Sequence, residues 1–385
     1  MNWLRQSLAV AMIGLAGVRQ RPATAFVIVF AMASVVGVLT AMLSLTAGMT
    51  EAYVAPEDPA RALVWAGTAN FDTSRSLHRD VLDTILDAPG IAKDAAGQAL
   101  ADPEFVMRLP PVEGFVEGSL QLRGLGPVGL KLRPELRVVS GRMFRAGGRE
   151  LLAGVGAAKK FGLKPGSTVQ LVDGSWPIVG TFAYRGEVIE STLIGDADTI
   201  MAATRRRGFA QVLAQLQDAR AFPNFKQWLT TNPTLTVTVE KKLDYDQRML
   251  GPNTTLFTRM AYGIGMIMAI GALFGIVKIM YAAVRVRTRE IGTLRALGFN
   301  ETAIASSVII EAVLLGLLGA LLGTAIAWLL FDGREMWVWG AFRLHVSLGL
   351  FALGMQWALL TSLLGGIFPA IRAAQVPASE ALRAA

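Results

Sequence analysis

Four stretches of the chain are almost free of charge. Between Arg21 and Glu51 there is none, and between Arg259 and Arg285 only Lys278. Between Glu301 and Asp332 there is only Glu311, and between Arg343 and Arg372 none. A helix needs about 20 apolar residues to cross a bilayer, so the pattern predicts four spans, at 22–48, 259–284, 303–331 and 347–370. Between the first and second, apolar and polar positions alternate in short units. SRSLHRDVLDTILDAPG reads as a helix, with Leu77, Val81, Ile85 and Leu86 on one side and Pro89-Gly90 ending it. GSLQLRG and RVVSGRMF read as strands, and GVGAAKKFGL as a short helix ended by Gly162. STVQLVDGSWPIVGTF predicts a hairpin turning at Asp173-Gly174. RGFAQVLAQLQDARAF and NFKQWLTTN predict helices, and TLTVTVEKK a strand. Together these predict a compact α+β domain over 49–255. In the first 21 residues Leu4, Leu8, Met12 and Leu15 fall near one helical face, and Arg19-Gln20-Arg21-Pro22 offers no small-residue cleavage site. That segment predicts an amphipathic helix on the membrane surface.

Basic residues orient the spans. Arg5, Arg19 and Arg21 precede the first, Arg285, Arg287, Arg289 and Arg295 separate the second from the third, and Arg372 and Arg383 follow the fourth. In a four-span chain these fall on one side, which the positive-inside rule makes the cytoplasm. The expected fold class is an α-helical membrane protein, N-in and C-in, with a large α+β domain outside. The loop DGREMWVWGAFR then lies outside, with Trp337 and Trp339 suited to the outer interface. Composition agrees: 53% of residues are hydrophobic and 17% charged, against about 25% charged in soluble chains. The net charge of +8 is expected to reflect cytoplasmic loops and membrane lipid rather than nucleic acid. With no cysteine, disulfides, thiolate metal sites and a Cys nucleophile are excluded.

Enzymatic chemistry finds no foothold. GxxxxGK[ST], which would cradle nucleotide phosphates, is absent, and the Gly-rich stretch GLGPVGLK (124–131) lacks its spacing. GxSxG and HExxH are absent too. The carboxylates Glu187, Glu190, Asp196 and Asp198 read as solvated loop charge, and Arg205-Arg206-Arg207 as a solvated helix start. The more specific segment is 285–323, RVRTREIGTLRALGFNETAIASSVIIEAVLLGLLGALLG. Ile291, Leu294, Leu297 and Gly298 lie along one helical side, while Arg289, Glu290 and Arg295 supply charge. Such a helix either docks as a lever in a groove of a soluble partner or lies passively on lipid. Lys278 and Glu311 are the charges inside the spans, where an unpaired charge costs about 2.5–3.5 kcal/mol. Either they pair and lock the second span to the third, or Lys278 snorkels to headgroups and Glu311 is protonated or meets water. Ala33, Gly37 and Ala41, Gly271 and Gly275, and Gly319 and Gly323 form small-xxx-small series. They are candidates for a dimer seam, although such series are common in membrane helices.

TREIGTLRALGFNETAI before an apolar run, and the tail FPAIRAAQVPASEALRA (368–384), resemble the motifs of MacB/FtsX-type (type VII, mechanotransmission) ABC transporter permeases. ELLAGVGAAKKFGLKPGSTVQLVDGSWPIVGTF (150–182) is similar to their MacB-like periplasmic core. The resemblance implies a MacB-like core domain at 49–255 and an FtsX-like permease domain at 256–385, in a bacterial inner membrane. It implies a homo- or heterodimer working with a separate ABC ATPase that holds ATP and Mg, this chain itself binding no cofactor. Arg289, Glu290, Ile291, Gly292, Leu294, Arg295, Leu297 and Gly298 would form a coupling helix, about 285–300, facing that ATPase. MacB-like members act with a periplasmic adaptor and an outer-membrane duct, others release lipoproteins, and FtsX-like members activate cell-wall hydrolases. The size of the insert favours the first two.

Overall fold

The computed structural model describes residues 22–53, 58–67, 76–109, 120–171, 173–185, 187–337 and 340–375. The expected surface helix 1–21, Trp339 and the end of the tail motif, 376–384, lie outside the described residues. The chain divides into two compact units. Over the described residues one takes in 22–48, 253–334 and 344–375, and the other 49–252 and 335–343.

The helical unit is built on α1 (Pro22–Tyr53), α6 (Lys242–Val286), α8 (Glu301–Phe331) and α9 (Leu348–Ala374), with the short α7 (Thr288–Ala296) between α6 and α8. All four long helices are long and apolar enough to cross a bilayer. Hydrophobic burial cannot drive helix association in lipid, so close backbone approach must. The small residues supply it. A Cβ on Gly323 would stand 2.3 Å from the Ala33 carbonyl oxygen, and one on Gly319 2.6 Å from that of Val29. Gly37 faces Gly323 in turn, 3.3 Å from its carbonyl oxygen. Ala33, Gly37, Gly319 and Gly323 therefore join α1 to α8 within one chain, which corrects their assignment to a dimer seam. Gly316 of α8 meets Ser362 of α9, and Gly366 meets Ala312. Gly271 and Gly275 have nothing within 4 Å of where a Cβ would stand. Ala41 is half-buried on α1.

The α+β unit carries a ten-stranded sheet in the order β10-β1-β9-β2-β3-β8-β5-β7-β4, with β6 on β7. In chain order the strands are β1 (Arg61–Ala66), β2 (Ala101–Arg108), β3 (Gln121–Leu125), β4 (Arg137–Gly141), β5 (Leu151–Gly154), β6 (Thr168–Leu171), β7 (Gly174–Ala183), β8 (Thr192–Asp196), β9 (Gln211–Gln215) and β10 (Val237–Lys241). Four helices accompany them: α2 (Arg79–Leu86), α3 (Val155–Phe161), α4 (Ala197–Thr204) and α5 (Phe222–Thr231). β2 is shared. Its first half, Ala101–Glu104, pairs with β9, and its second half, Phe105–Arg108, with β3. The sheet is thus two half-sheets joined along one strand. Its core centres on Trp176, Phe105, Phe225, Ile85 and Leu122.

Two expectations fail here. The centre of RGFAQVLAQLQDARAF, Gln211–Gln215, is not a helix but the strand β9, between β1 and β2 and buried over Gln211–Ala214. Its Ala, Leu and Gln favour a helix, but burial between two strands overrides so weak a preference. Arg205 closes α4 in a left-handed conformation, φ 55°, so the triple arginine follows a helix rather than starting one.

The loop between α8 and α9 folds with the α+β unit. β11 (Glu335–Trp337) and β12 (Ala341–Arg343) form a hairpin. Trp337 meets Phe161 edge-on, with ring centroids 5.4 Å apart. Lys159 Nζ pairs with Glu335 at 2.5 Å, and the Ala341 N–H donates to Ser191 Oγ at 2.5 Å. Trp337, expected at a membrane interface, is thus bound to protein, because aromatic edge-to-face contact accompanies its burial.

Candidate functional site

The connection 285–300 folds as a tight elbow. One residue, Arg287, separates α6 from α7. Its N–H still donates to Ala283 and Val284 of α6, at 3.2 and 3.1 Å, while its carbonyl already accepts from Ile291 of α7 at 2.9 Å. α7 closes on Gly298, φ 88°. There Gly298 N–H donates to Arg295 and Phe299 N–H to Leu294, at 3.0 and 3.1 Å, the paired bonds of a Schellman stop. The sequence Leu297-Gly298-Phe299-Asn300 encodes this, because glycine enters the left-handed region without the Cβ penalty.

Two arginines brace the elbow. Arg287 Nη1 donates to Glu311 Oε2 of α8 at 2.8 Å, with its Nε 3.4 Å from Glu290. Arg295 Nη1 donates to the Ala374 carbonyl at the end of α9 at 3.0 Å, and its Nη2 to Glu301 Oε1 in the first turn of α8 at 2.6 Å. One guanidinium therefore satisfies an orphan carbonyl of one helix and an acidic N-terminus of another. Hydrogen bonds to charged groups contribute about 1.5–3 kcal/mol each when shielded. Glu311 does not pair with Lys278, which is exposed. Arg287 sits at the corner of the elbow with a longer, forked side chain, and its planar head suits a carboxylate. Behind the elbow lies a cavity of about 320 Å³, lined by Met280, Val284, Ile291, Leu294, Ile304 and Val308, with Arg287 and Glu311 also facing it.

The predicted coupling residues separate into two groups. Ile291 and Gly292 are buried, and Leu294 and Arg295 half-buried against the spans. Arg289, Glu290, Leu297 and Gly298 are exposed. The first group attaches α7 to its neighbours, and the second is available to a partner. Sequence reasoning missed Arg287 because it read the charge as topology alone.

A second charged cluster, in the α+β unit, went unnoticed. Glu104 of β2 is fully buried and accepts from three side chains. Arg123 Nη1 reaches it at 2.6 Å, Gln211 Nε2 at 2.8 Å, and Arg133 Nη2 also donates. Burial pushes the Glu104 carboxyl up, but the charges of Arg133 and Arg123 outweigh it and hold it at about 2. Asp102, on the same strand and as deeply buried, accepts the N–H groups of Gly126 and Val128 at 3.0 and 3.1 Å. The Gly-rich stretch that is not a phosphate loop thus holds a carboxylate of its own chain. Acidic residues spaced two apart in the otherwise apolar run Ala101–Met107 were the available signal. Two of the loop carboxylates are held locally, Asp196 accepting the Thr199 N–H at 2.9 Å and Glu190 the Tyr184 N–H at 2.6 Å, while Asp198 is solvated surface charge paired with Arg79.

Comparison with known proteins bears on this arrangement. The MacB-like periplasmic core domain model matches residues 23–240, and the FtsX-like permease C-terminal model residues 262–378. The chain is 33% identical over 130 residues to a macrolide export ATP-binding/permease protein, MacB 2, of Aeromonas hydrophila, covering 34% of this chain and 20% of that one. It is 37% identical over 123 residues to the pyoverdine export ATP-binding/permease protein PvdT of Pseudomonas entomophila, covering 31% and 18%. It is 30% identical over 137 residues to an uncharacterized ABC transporter permease, YknZ, of Bacillus subtilis, covering 35% and 33%. The matches span about a fifth to a third of these relatives' lengths. Both halves of the elbow-bearing chain are therefore accounted for by one kind of multi-pass membrane protein, and the chain belongs to the MacB/FtsX-type ABC transporter permease family.

Proposed function

We propose that this chain is the permease subunit of an ABC complex that exports or extracts a substrate on the outer side of a bacterial inner membrane. The start of α1, the end of α9 and the α7 elbow face the cytoplasm and the α+β domain faces the other side, a reading that the basic flanks support. A separate ATPase, working with ATP and Mg, docks on the exposed side of α7, at Arg289, Glu290, Leu297 and Gly298. A second permease copy completes the complex. Its movement passes through the two arginine braces to α8 and α9, and along α6, a helix whose first turns belong to the α+β unit. Export is favoured over signalling by the roughly 200-residue domain and by relatives named for macrolide and pyoverdine export. An adaptor and an outer-membrane duct would take the substrate onward.

The observation that carries this reading is the bracing of α7 to two long helices by Arg287 and Arg295, which a passive surface helix would not need. Two variants of the assembled complex test it. Leu297→Asp, on the exposed side, is expected to abolish copurification of the ATPase. Arg295→Gln is expected to retain the ATPase and its basal hydrolysis while transport falls by about tenfold or more, the loss of one charged hydrogen bond from the coupling step. Full transport by both variants would overturn the reading.

A further inference from the structure

The joint between the two half-sheets buries two carboxylates side by side and sets both of its arginines in ion-pair contact with only one. Glu104 has two arginines and a glutamine. Asp102 has the N–H groups of Gly126 and Val128, and among the described residues no cation within ion-pair range. The backbone of this segment presses directly on the carboxylate. A Cβ on Gly126 or Gly129 would stand 2.6 or 2.5 Å from an Asp102 oxygen. The same segment carries Val128 and Leu132, which pack with Trp65 of β1 and with Tyr245 in the first turns of α6. Trp65 and Tyr245 are in ring contact, centroids 5.3 Å apart, and Arg61 of β1 donates to the Leu132 carbonyl at 2.6 Å.

We propose that this joint is a proton-controlled latch: a proton on Asp102 keeps segment 126–133 closed over β2, and its loss frees that segment and the seat of the first turns of α6. With both carboxylates ionised, like charges face each other in a site closed to water. Opening admits water to Asp102 and relieves the repulsion, so the open joint binds its proton less tightly. Burial, and next the Glu104 charge, raise the Asp102 carboxyl to about 7. The sign follows: the closed joint holds the higher affinity for the proton, so closure is favoured at low pH and lost as pH rises through 7.

The charges that act on Asp102 are Glu104, on its own strand, and Arg133 in the segment itself, whose guanidinium Glu104 holds in its charged form. Glu104 is held at about 2, and burial pushes Tyr245 up to about 12. Gln211, from β9, is uncharged. The inference goes beyond the transport reading and stands whether or not the chain exports anything.

Hydrogen exchange of the full chain in lipid nanodiscs tests it, with rates corrected for the intrinsic effect of pH. Between pH 6 and pH 8 the protection of amides in 120–133 is expected to fall by about tenfold, the ratio a single site near 7 gives. Protection of 155–161, in α3, is expected to stay constant. Asp102→Asn removes the charge but turns an NH2 toward one of the two backbone donors, so protection of 120–133 is expected to be lower overall yet the same at pH 6 and pH 8. A fall that survives in Asp102→Asn, or no fall in the wild type, overturns the latch. Should the variant not fold, the wild type decides alone, since a response that is absent or uniform across the α+β unit overturns it equally.

Discussion

The helical unit and the α+β unit are held together by opposite means. In the helical unit small residues let backbones touch, and charge gathers around the elbow, on Arg287, Arg295 and Glu301 at helix ends and on Glu311 about three turns into α8. In the α+β unit large side chains fill the core, and charge is buried in the middle of the sheet, on Asp102, Glu104 and Arg133. The difference follows from the solvent. Lipid gives no reward for burying apolar surface, so close packing and polar ties must join the helices. Water rewards the core of a sheet with about 25 cal/mol for each Å² of apolar surface, and that surplus can carry a costly ion cluster.

The largest test of this contrast removes the anchor of the buried cluster. Glu104→Ala leaves Arg133 and Arg123 without their carboxylate, and is expected to cost the α+β unit about 3–5 kcal/mol. Denaturant unfolding followed by hydrogen exchange reads it unit by unit, and a loss under about 1 kcal/mol would erase the distinction. At the elbow, Glu311→Gln removes one brace, and its expected cost to the helical unit is about 1.5–3 kcal/mol. The reversed pair Arg287→Glu with Glu311→Arg is expected to recover part of that loss in thermal stability. No recovery would mean that Glu311 depends on other neighbours.

Packing in the helical unit gives the next smaller effect. Gly323→Leu forces atoms into the Ala33 backbone and is expected to lower stability by about 1–3 kcal/mol. Gly271→Leu, which meets nothing, is expected to stay within about 0.5 kcal/mol. Equal melting temperatures for the two variants would deny the α1–α8 seam. The mildest perturbation is a staple. The chain has no cysteine, so Gly156→Cys with Ala341→Cys creates one thiol pair. A Cβ at 156 lies 3.0 Å from that of Ala341, a few tenths of an ångström inside the usual range for a disulfide. Mild oxidation is expected to close the bond without loss of fold, read as thiol protection from alkylation. Free thiols after oxidation would place the hairpin away from α3.

How much of this was legible in the sequence depended on range. The four spans were plain because charge-free runs of that length have one physical meaning. α2, α3, α5 and the β6–β7 hairpin were readable from local periodicity and from Gly162 and Gly174. β9 was not, since Gln211–Gln215 becomes a strand only through neighbours 107 or more residues away in the chain, at Ala101–Glu104 and Arg61–Val64. A short helix between α6 and α8 was legible, but its braces were not. Arg287 looked like one more basic flank, and its tie to Glu311 exists only once α8 returns beside α6. Asp102 and Glu104 passed unnoticed because a carboxylate in a strand announces nothing until its arginines, at 123 and 133, are known to converge on it.

Under the proposed function, motion enters at α7 and emerges in the α+β domain on the other side of the membrane. Single cysteines at Thr293 and Ser175, both exposed, test it in intact cells and inverted vesicles with a membrane-impermeant maleimide. The account predicts that Ser175→Cys is labelled only in intact cells with a permeable outer envelope, and Thr293→Cys only in inverted vesicles. Labelling of both from the same side would contradict it.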